Sequence, residues 1–208
     1  MKSSYVKEKY NNLYVRIDFE RRGLFQLIQQ KFKPVEVLYP GCSIHVTPAF
    51  YFPHVCFVDH DPAAVDFFNH QKELFDLVEY HRIYRQHPTF HFINQSFMQP
   101  LSFEGRRFDL LLALFAGGVI KACKGYVKKG GLVLSNNHQQ DALDAFDDHE
   151  LSLIAFIRYQ NKQYNMLQTT EHFKPSEIRD RHSHHYLRKT SRGEEYIENE
   201  VYYLFQKQ

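Results

Sequence analysis

Phe108-Asp109-Leu110-Leu111-Leu112-Ala113-Leu114 is a nearly continuous apolar run of strand length, and it narrows the possible folds more than any other part of the chain. A strand with one wet face alternates apolar and polar residues, whereas a strand covered by helices on both faces does not. The run therefore reads as a central parallel strand, which needs crossover helices on either side. The rest of the chain supplies them. Phe19 to Phe32 carries Leu24, Ile28 and Phe32 at helical spacing and is stopped by Pro34, ahead of the β-branched run Val35 to Tyr39. Pro40-Gly41 then turns the chain, a short Pro48-interrupted helix follows, and Val55-Cys56-Phe57-Val58 forms the next strand, closed by Asp59.

Asp61-Pro62 is a helix start, because the carboxylate caps free N–H groups and proline at the first helical position gives up no needed donor. That helix is expected to run toward Gln86, with Val65, Phe68, Phe75, Val78 and Arg82 along one face. Phe90 to Ile93 is a third strand. Val119, Ile120, Cys123 and Val127 mark a helix that Gly130-Gly131 ends, and Leu132 to Ser135 is a fifth strand. Farther on, Asp141 to His149 reads as a helix, and Leu151 to Tyr159, Tyr164 to Gln168 and Glu200 to Phe205 read as strands. The polar, His-rich stretch 174–192 is either a helical insertion or a long loop.

The expected fold class is α/β, an open, mostly parallel, doubly wound Rossmann-like sheet of about seven strands with an antiparallel C-terminal strand. A length of 208 residues suits a single domain. Residues 1–33 would be a helical extension, 34–150 a cofactor-binding core, and 151–208 the C-terminal strands with their polar insertion.

Composition removes several other classes. With 43% apolar and 24% charged residues the chain is neither disordered nor fibrous. Its longest uncharged apolar run, Leu110 to Ile120, is about 11 residues against the roughly 20 that span a bilayer, so no membrane partner is expected. Lys2, Lys7, Glu8 and Lys9 break any secretory apolar stretch, which points to the cytoplasm. Cys42, Cys56 and Cys123 are odd in number, far apart and set among apolar neighbours, as buried reduced thiols are. A net charge of +2 gives no strong steering toward polyanions, although both ends are basic. Lys121, Lys124, Lys128 and Lys129 read as a solvated face on one helix and its end. His182, His184 and His185 have no carboxylate or cysteine at ligand spacing, so no metal is expected.

In an open parallel sheet, ligands bind beyond the C-terminal ends of the strands. Gly41, after the first strand, permits close backbone approach; Asp59 ends the second strand about 18 residues on and can accept hydrogen bonds from two ribose hydroxyls. A dinucleotide fingerprint beginning at Gly41 would need glycine at positions 43 and 46, where Ser43 and Val46 stand. A nucleoside cofactor without phosphates fits better than NAD or FAD.

These residues resemble the class I S-adenosylmethionine (SAM)-dependent methyltransferases, whose first motif runs approximately V-L-D-x-G-C-G-x-G. Here it reads Val37-Leu38-Tyr39-Pro40-Gly41-Cys42-Ser43-Ile44-His45, with Tyr39 in place of the acid and Ser43 and His45 in place of the later glycines. Phe57-Val58-Asp59-His60-Asp61-Pro62 resembles the second motif, Phe108 to Leu112 the fourth, and Val127 to Leu134 the L-K-P-G-G turn into strand five. The resemblance covers about residues 34–137. It implies SAM as cofactor, with Tyr39, Gly41, Cys42 and Ser43 at its methionine end and Asp59 on its ribose. His60 and Asp61 would border the adenine, Gln95 or Ser96 would bond its amino group, and Leu114, Phe115 and Ala116 would flank the sulfonium and methyl group.

Methyl transfer from a sulfonium is largely intrinsic to the cofactor, so a base is optional. His45, His138 or an N-terminal tyrosine could serve as one. The Asn-Pro-Pro-Tyr type of motif is absent, since Leu114-Phe115-Ala116-Gly117-Gly118 stands after strand four. The implied activity is methyl transfer to an unidentified acceptor, a small molecule ahead of nucleic acid. The alternatives are a methyltransferase-like module that binds without catalysis and a nucleotide-dependent reductase.

Overall fold

The computed structural model describes residues 4–103, 105, 107–160, 162–168, 186–190, 193–197 and 201–208. An eight-stranded sheet runs in the order β3-β2-β1-β4-β5-β10-β6-β7. Its parallel half comprises β1 (Glu36–Pro40), β2 (His54–Asp59), β3 (Thr89–Asn94), β4 (Phe108–Ala113) and β5 (Val127–Ser135). The chain steps outward from β1 to β3 and then crosses to β4 on the other side of β1. The strand order therefore reverses between β1 and β4, the position at which open α/β sheets bind ligands in a crevice outside the strand tips. β10 (Val201–Lys207) lies antiparallel between β5 and β6 (Leu151–Gln160), and β7 (Gln163–Leu167) pairs antiparallel with the outer edge of β6. A separate hairpin pairs β8 (Tyr186–Thr190) with β9 (Gly193–Ile197).

The apolar run in β4 is covered on both sides, as its composition requires. Leu110, Leu112 and Leu114 join one core with Val37, Phe57, Leu134 and Leu204, under α1 (Tyr5–Tyr10), α2 (Arg22–Phe32), α3 (Pro62–Asn69) and α4 (Gln71–His81). Leu111 and Ala113 join the other with Leu38, Val58, Val133 and Phe205, under α5 (Val119–Cys123) and α6 (Asp141–Phe146). Burying one such leucine contributes about 1.5–3 kcal/mol. Cys42, Cys56 and Cys123 are all buried free thiols.

Three sequence expectations change. The helix expected from Asp61 toward Gln86 is two helices, because His70 leaves helical backbone geometry between α3 and α4. Residues 4–6 dock at that break: Glu73 accepts Ser4 Oγ at 2.6 Å and the Val6 amide at 3.0 Å, and the Tyr5 and His70 rings lie 4.6 Å apart. The break also resets the helical phase, so α4 buries Leu74, Leu77 and Val78 rather than Phe75 and Arg82. Gly130-Gly131 does not end a helix. The α-helix stops at Cys123, a 3-10 turn spans Lys124–Tyr126, and both glycines lie inside β5 at a register shift against Phe108 and Leu110. The lysines are not one solvated helical face, since Lys124 pairs with Asp148 and Glu150, and Lys128 reaches Asp109 from β5.

The long insertion contains β8; the expected His182, His184 and His185 cluster lies outside the described residues. Among the described residues no helix is long and apolar enough to cross a membrane, and no group of three His, Cys, Asp or Glu side chains is set to hold a metal.

Candidate functional site

Asp59 organises the strand tips. Its Oδ2 accepts the Ser43 amide at 2.7 Å, and its Oδ1 accepts the His60 and Asp61 amides at 2.7 and 2.9 Å. The carboxylate thus ties the turn after β1 to the turn after β2. Backbone bonds extend the tie, from the Gly41 amide to the Val58 carbonyl at 2.8 Å and from the Gln95 amide to the Asp59 carbonyl at 3.1 Å. Asp61 is a helix cap, its Oδ1 accepting the Ala63 and Ala64 amides. Gln95 Nε2 donates to the Pro100 carbonyl at 3.0 Å, and Ser96 Oγ accepts the Met98 amide at 3.4 Å. His60 is exposed beside them.

Gly41 sits at φ +63, and a Cβ there would come within 2.5 Å of Ala116 Cβ and 3.4 Å of Phe97 Cε1. The turns after β1, β3 and β4 therefore meet at this glycine. Gly41→Ala is expected to cost about 1–3 kcal/mol from left-handed strain and the clash, read as a lowered melting temperature.

Two positions at which the sequence departs from the motif it resembles are joined in the structure. Tyr39, where the acid would stand, donates its hydroxyl to His45 Nδ1 at 3.0 Å, and His45 Nε2 donates to the Glu20 carbonyl at 3.2 Å. His45 stands where the last glycine would, turned inward under the turn instead of leaving it open. Both side chains are buried, and Tyr14 stacks on His45 at 4.7 Å. Burial, helped by the charge of Arg21, pushes the His45 imidazole down to about 3, so it stays neutral and its two bonds fix the tautomer. The fold loses stability as pH falls from about 6.5 toward 3, because only the unfolded chain takes up that proton readily. Tyr39 accordingly offers its hydroxyl to His45 rather than to a ligand, and Cys42 is buried with its Sγ on the Ser43 carbonyl.

Sequence spacing does not reveal the roof over the crevice, which comes from the N-terminal segment. Tyr14 lies in a π-helical turn, Asn11–Val15, a rare geometry that is frequent at functional sites. Burial pushes its phenol up to about 12, against a hydrogen bond from the Ser43 side chain. Arg21, itself buried, places its guanidinium 3.4 Å from the Phe19 ring centre and 4.0 Å from that of Phe115, and its Nε donates to Tyr202 Oη at 2.8 Å.

Phe115 adopts φ +60, a strained value for an aromatic residue, and its amide donates to Asn136 Oδ1 at 3.2 Å. Asn137 Oδ1 accepts the Ala142 and Leu143 amides. Both asparagines therefore hold the turns after β4 and β5. Leu114 is fully buried beneath them, and the His138 ring lies 6.3 Å from that of Phe115.

No family model matches the chain, and no curated protein matches it. Solved structures do. One is a methyltransferase from Geobacter sulfurreducens, 12% identical over 100% of this chain and 90% of that one, with a TM-score of 0.53. Another is the N-methyltransferase NodS from Bradyrhizobium japonicum WM9 in complex with S-adenosyl-L-homocysteine (SAH), 10% identical over 92% of this chain and 87% of that one, with a TM-score of 0.54. At such identities the likeness is one of fold, the Rossmann-like fold that these two methyltransferases share with this chain.

Proposed function

We propose that the protein is a SAM-dependent methyltransferase whose cofactor crosses the tips of β1, β2 and β4. The observation that carries this reading is Asp59: one carboxylate at the end of β2, in the strand-order crevice, already joined to the turn that holds Gly41. The residues fit the adenosine end of the cofactor. Asp59 Oδ2 takes a single amide, and a carboxylate oxygen has a second lone pair to offer a ribose hydroxyl. His60, Asp61, Gln95 and Ser96 would border the base. At the methionine end Gly41 and Ser43 present the turn, under the roof of Tyr14 and Phe19.

Bound there, the cofactor would supply an electrophilic methyl group. The chain's part is to orient it and exclude water, and Leu114, Phe115 and Ala116 supply an apolar wall for both tasks. Of the three candidate bases, His45 is buried, neutral and bonded at both ring nitrogens, and Tyr14 holds its proton through neutral pH. His138 stands partly buried with its ring 6.3 Å from that of Phe115, beside the wall where an acceptor would lie. The rings of Phe19, Phe115 and His138 favour a small, partly apolar acceptor over a polyanion.

Thermal denaturation with SAM, SAH and NAD tests this. A ligand at about 100 times its Kd adds about 2.7 kcal/mol, or about 5–11 °C for a chain of this size. Shifts with SAM and SAH and none with NAD are expected. A shift with NAD alone would assign the crevice to a reductase, and no shift with any of the three would leave a binding module whose crevice Ala116 and Phe97 close.

A further inference from the structure

The turn after β4 is held by side chains of the segment after β5. Asn136 Oδ1 takes the Phe115 amide, Gln139 packs so closely on Gly117 that a Cβ there would meet its Oε1 at 1.9 Å, and Asp141 Oδ2 takes the Val119 and Ile120 amides at 3.1 and 3.3 Å. The holding segment is itself wound tightly, with Asn137, Gln139 and Gln140 all at positive φ. Asp141 differs from the other two in carrying charge. It is 1% exposed, and its second oxygen, Oδ1, is buried with no hydrogen-bond partner among the described residues.

We propose that Asp141 is a positioning residue for the cofactor crevice: its ionised carboxylate fixes the start of α5, and through it the Phe115-to-Gly118 turn, so that proton uptake at this one buried group loosens the wall beside the methyl group. The chemistry is direct. An ionised carboxylate bonds amide N–H groups roughly twice as strongly as a neutral acceptor does, and here two consecutive amides depend on it.

The surroundings place that proton uptake near physiological pH. Burial pushes Asp141 up to about 6, against the amides of Ile120, Gly118 and Val119. Among the described residues Asp144, on its own helix, raises it further by its like charge, and Asp141 in turn helps burial hold the Cys123 thiol on α5 protonated up to about 12. The charged form is therefore complete only above about pH 7 and is lost as pH falls through 6.

The proposal rests on the methyltransferase reading, and its test separates the two. SAH affinity is measured by titration calorimetry between pH 7.5 and 5 for wild type and Asp141→Asn, while amide NMR follows Val119 and Ile120 without ligand. Wild type should lose about fivefold more affinity over that range than the variant, corresponding to a one-unit shift of the group on binding. Contributions that do not involve Asp141 are common to both proteins and cancel. The Val119 and Ile120 amides should share a midpoint near 6 in wild type and stay flat in the variant. Amides that do not titrate near 6 in wild type, or SAH affinities with the same pH profile in both proteins, would overturn the role of Asp141. Absence of SAH binding at every pH would instead overturn the methyltransferase reading, and the amide titration would still test the hold on α5. If the variant fails to fold, the wild-type amide midpoints and affinity profile decide the matter alone, since they must coincide.

Discussion

Asp59→Ala is expected to abolish the thermal shift produced by SAH and to weaken SAH binding by more than a hundredfold, about 3 kcal/mol. Two effects combine. The ribose loses a charged acceptor, and the turn holding Gly41 loses its tie to β2, because Ser43 donates its amide to the same carboxylate. The stability cost without ligand is smaller, about 1–2 kcal/mol, since Ser43, His60 and Asp61 are exposed and water can reach the freed amides. Asp59→Asn is no milder a change. Its amide nitrogen would face either the Ser43 amide or those of His60 and Asp61, donor against donor. Calorimetric titration of the folded variant with SAH is the check, and retained binding would move the cofactor away from this crevice.

What the sequence disclosed and what it withheld follow from the range of the interactions involved. β4 was legible because burial on both faces leaves its mark in consecutive residues, and Asp61 because a cap and its proline are adjacent. Gly41 and Asp59 were legible because their chemistry sits at two strand ends a fixed distance apart. The break at His70 was not, since the segment that docks against it comes from Ser4 to Val6, some 65 residues earlier. The same holds for the roof. Tyr14, Phe19 and Arg21 reach Ser43, Phe115 and Tyr202 across long stretches of chain, and no local spacing records such contacts. Tyr39 and His45 show a different failure. Each taken singly is a departure from a motif, and only their 3.0 Å hydrogen bond reveals that the two side chains form one buried pair. The side chains that hold the turn after β4 were equally hidden, because Asn136, Gln139 and Asp141 act on backbone some 20 residues away.

Leu112→Ala is expected to destabilise the fold by about 3–4 kcal/mol and to lower the melting temperature by about 6–16 °C. The side chain is fully buried in the core beneath α1 to α4, where close packing lets a void collapse only in part. Leu111→Ala should cost a comparable amount, at least about 2 kcal/mol, although its side chain enters the other core, beneath α5 and α6. The pair decides more than either variant alone. A strand with one wet face would make one of the two substitutions nearly neutral, whereas a central strand of a doubly wound sheet makes both severe. Scanning calorimetry of the two variants thus tests the inference on which the crevice depends, because a strand order that reverses between β1 and β4 requires β4 to be interior, with helices on either side of it.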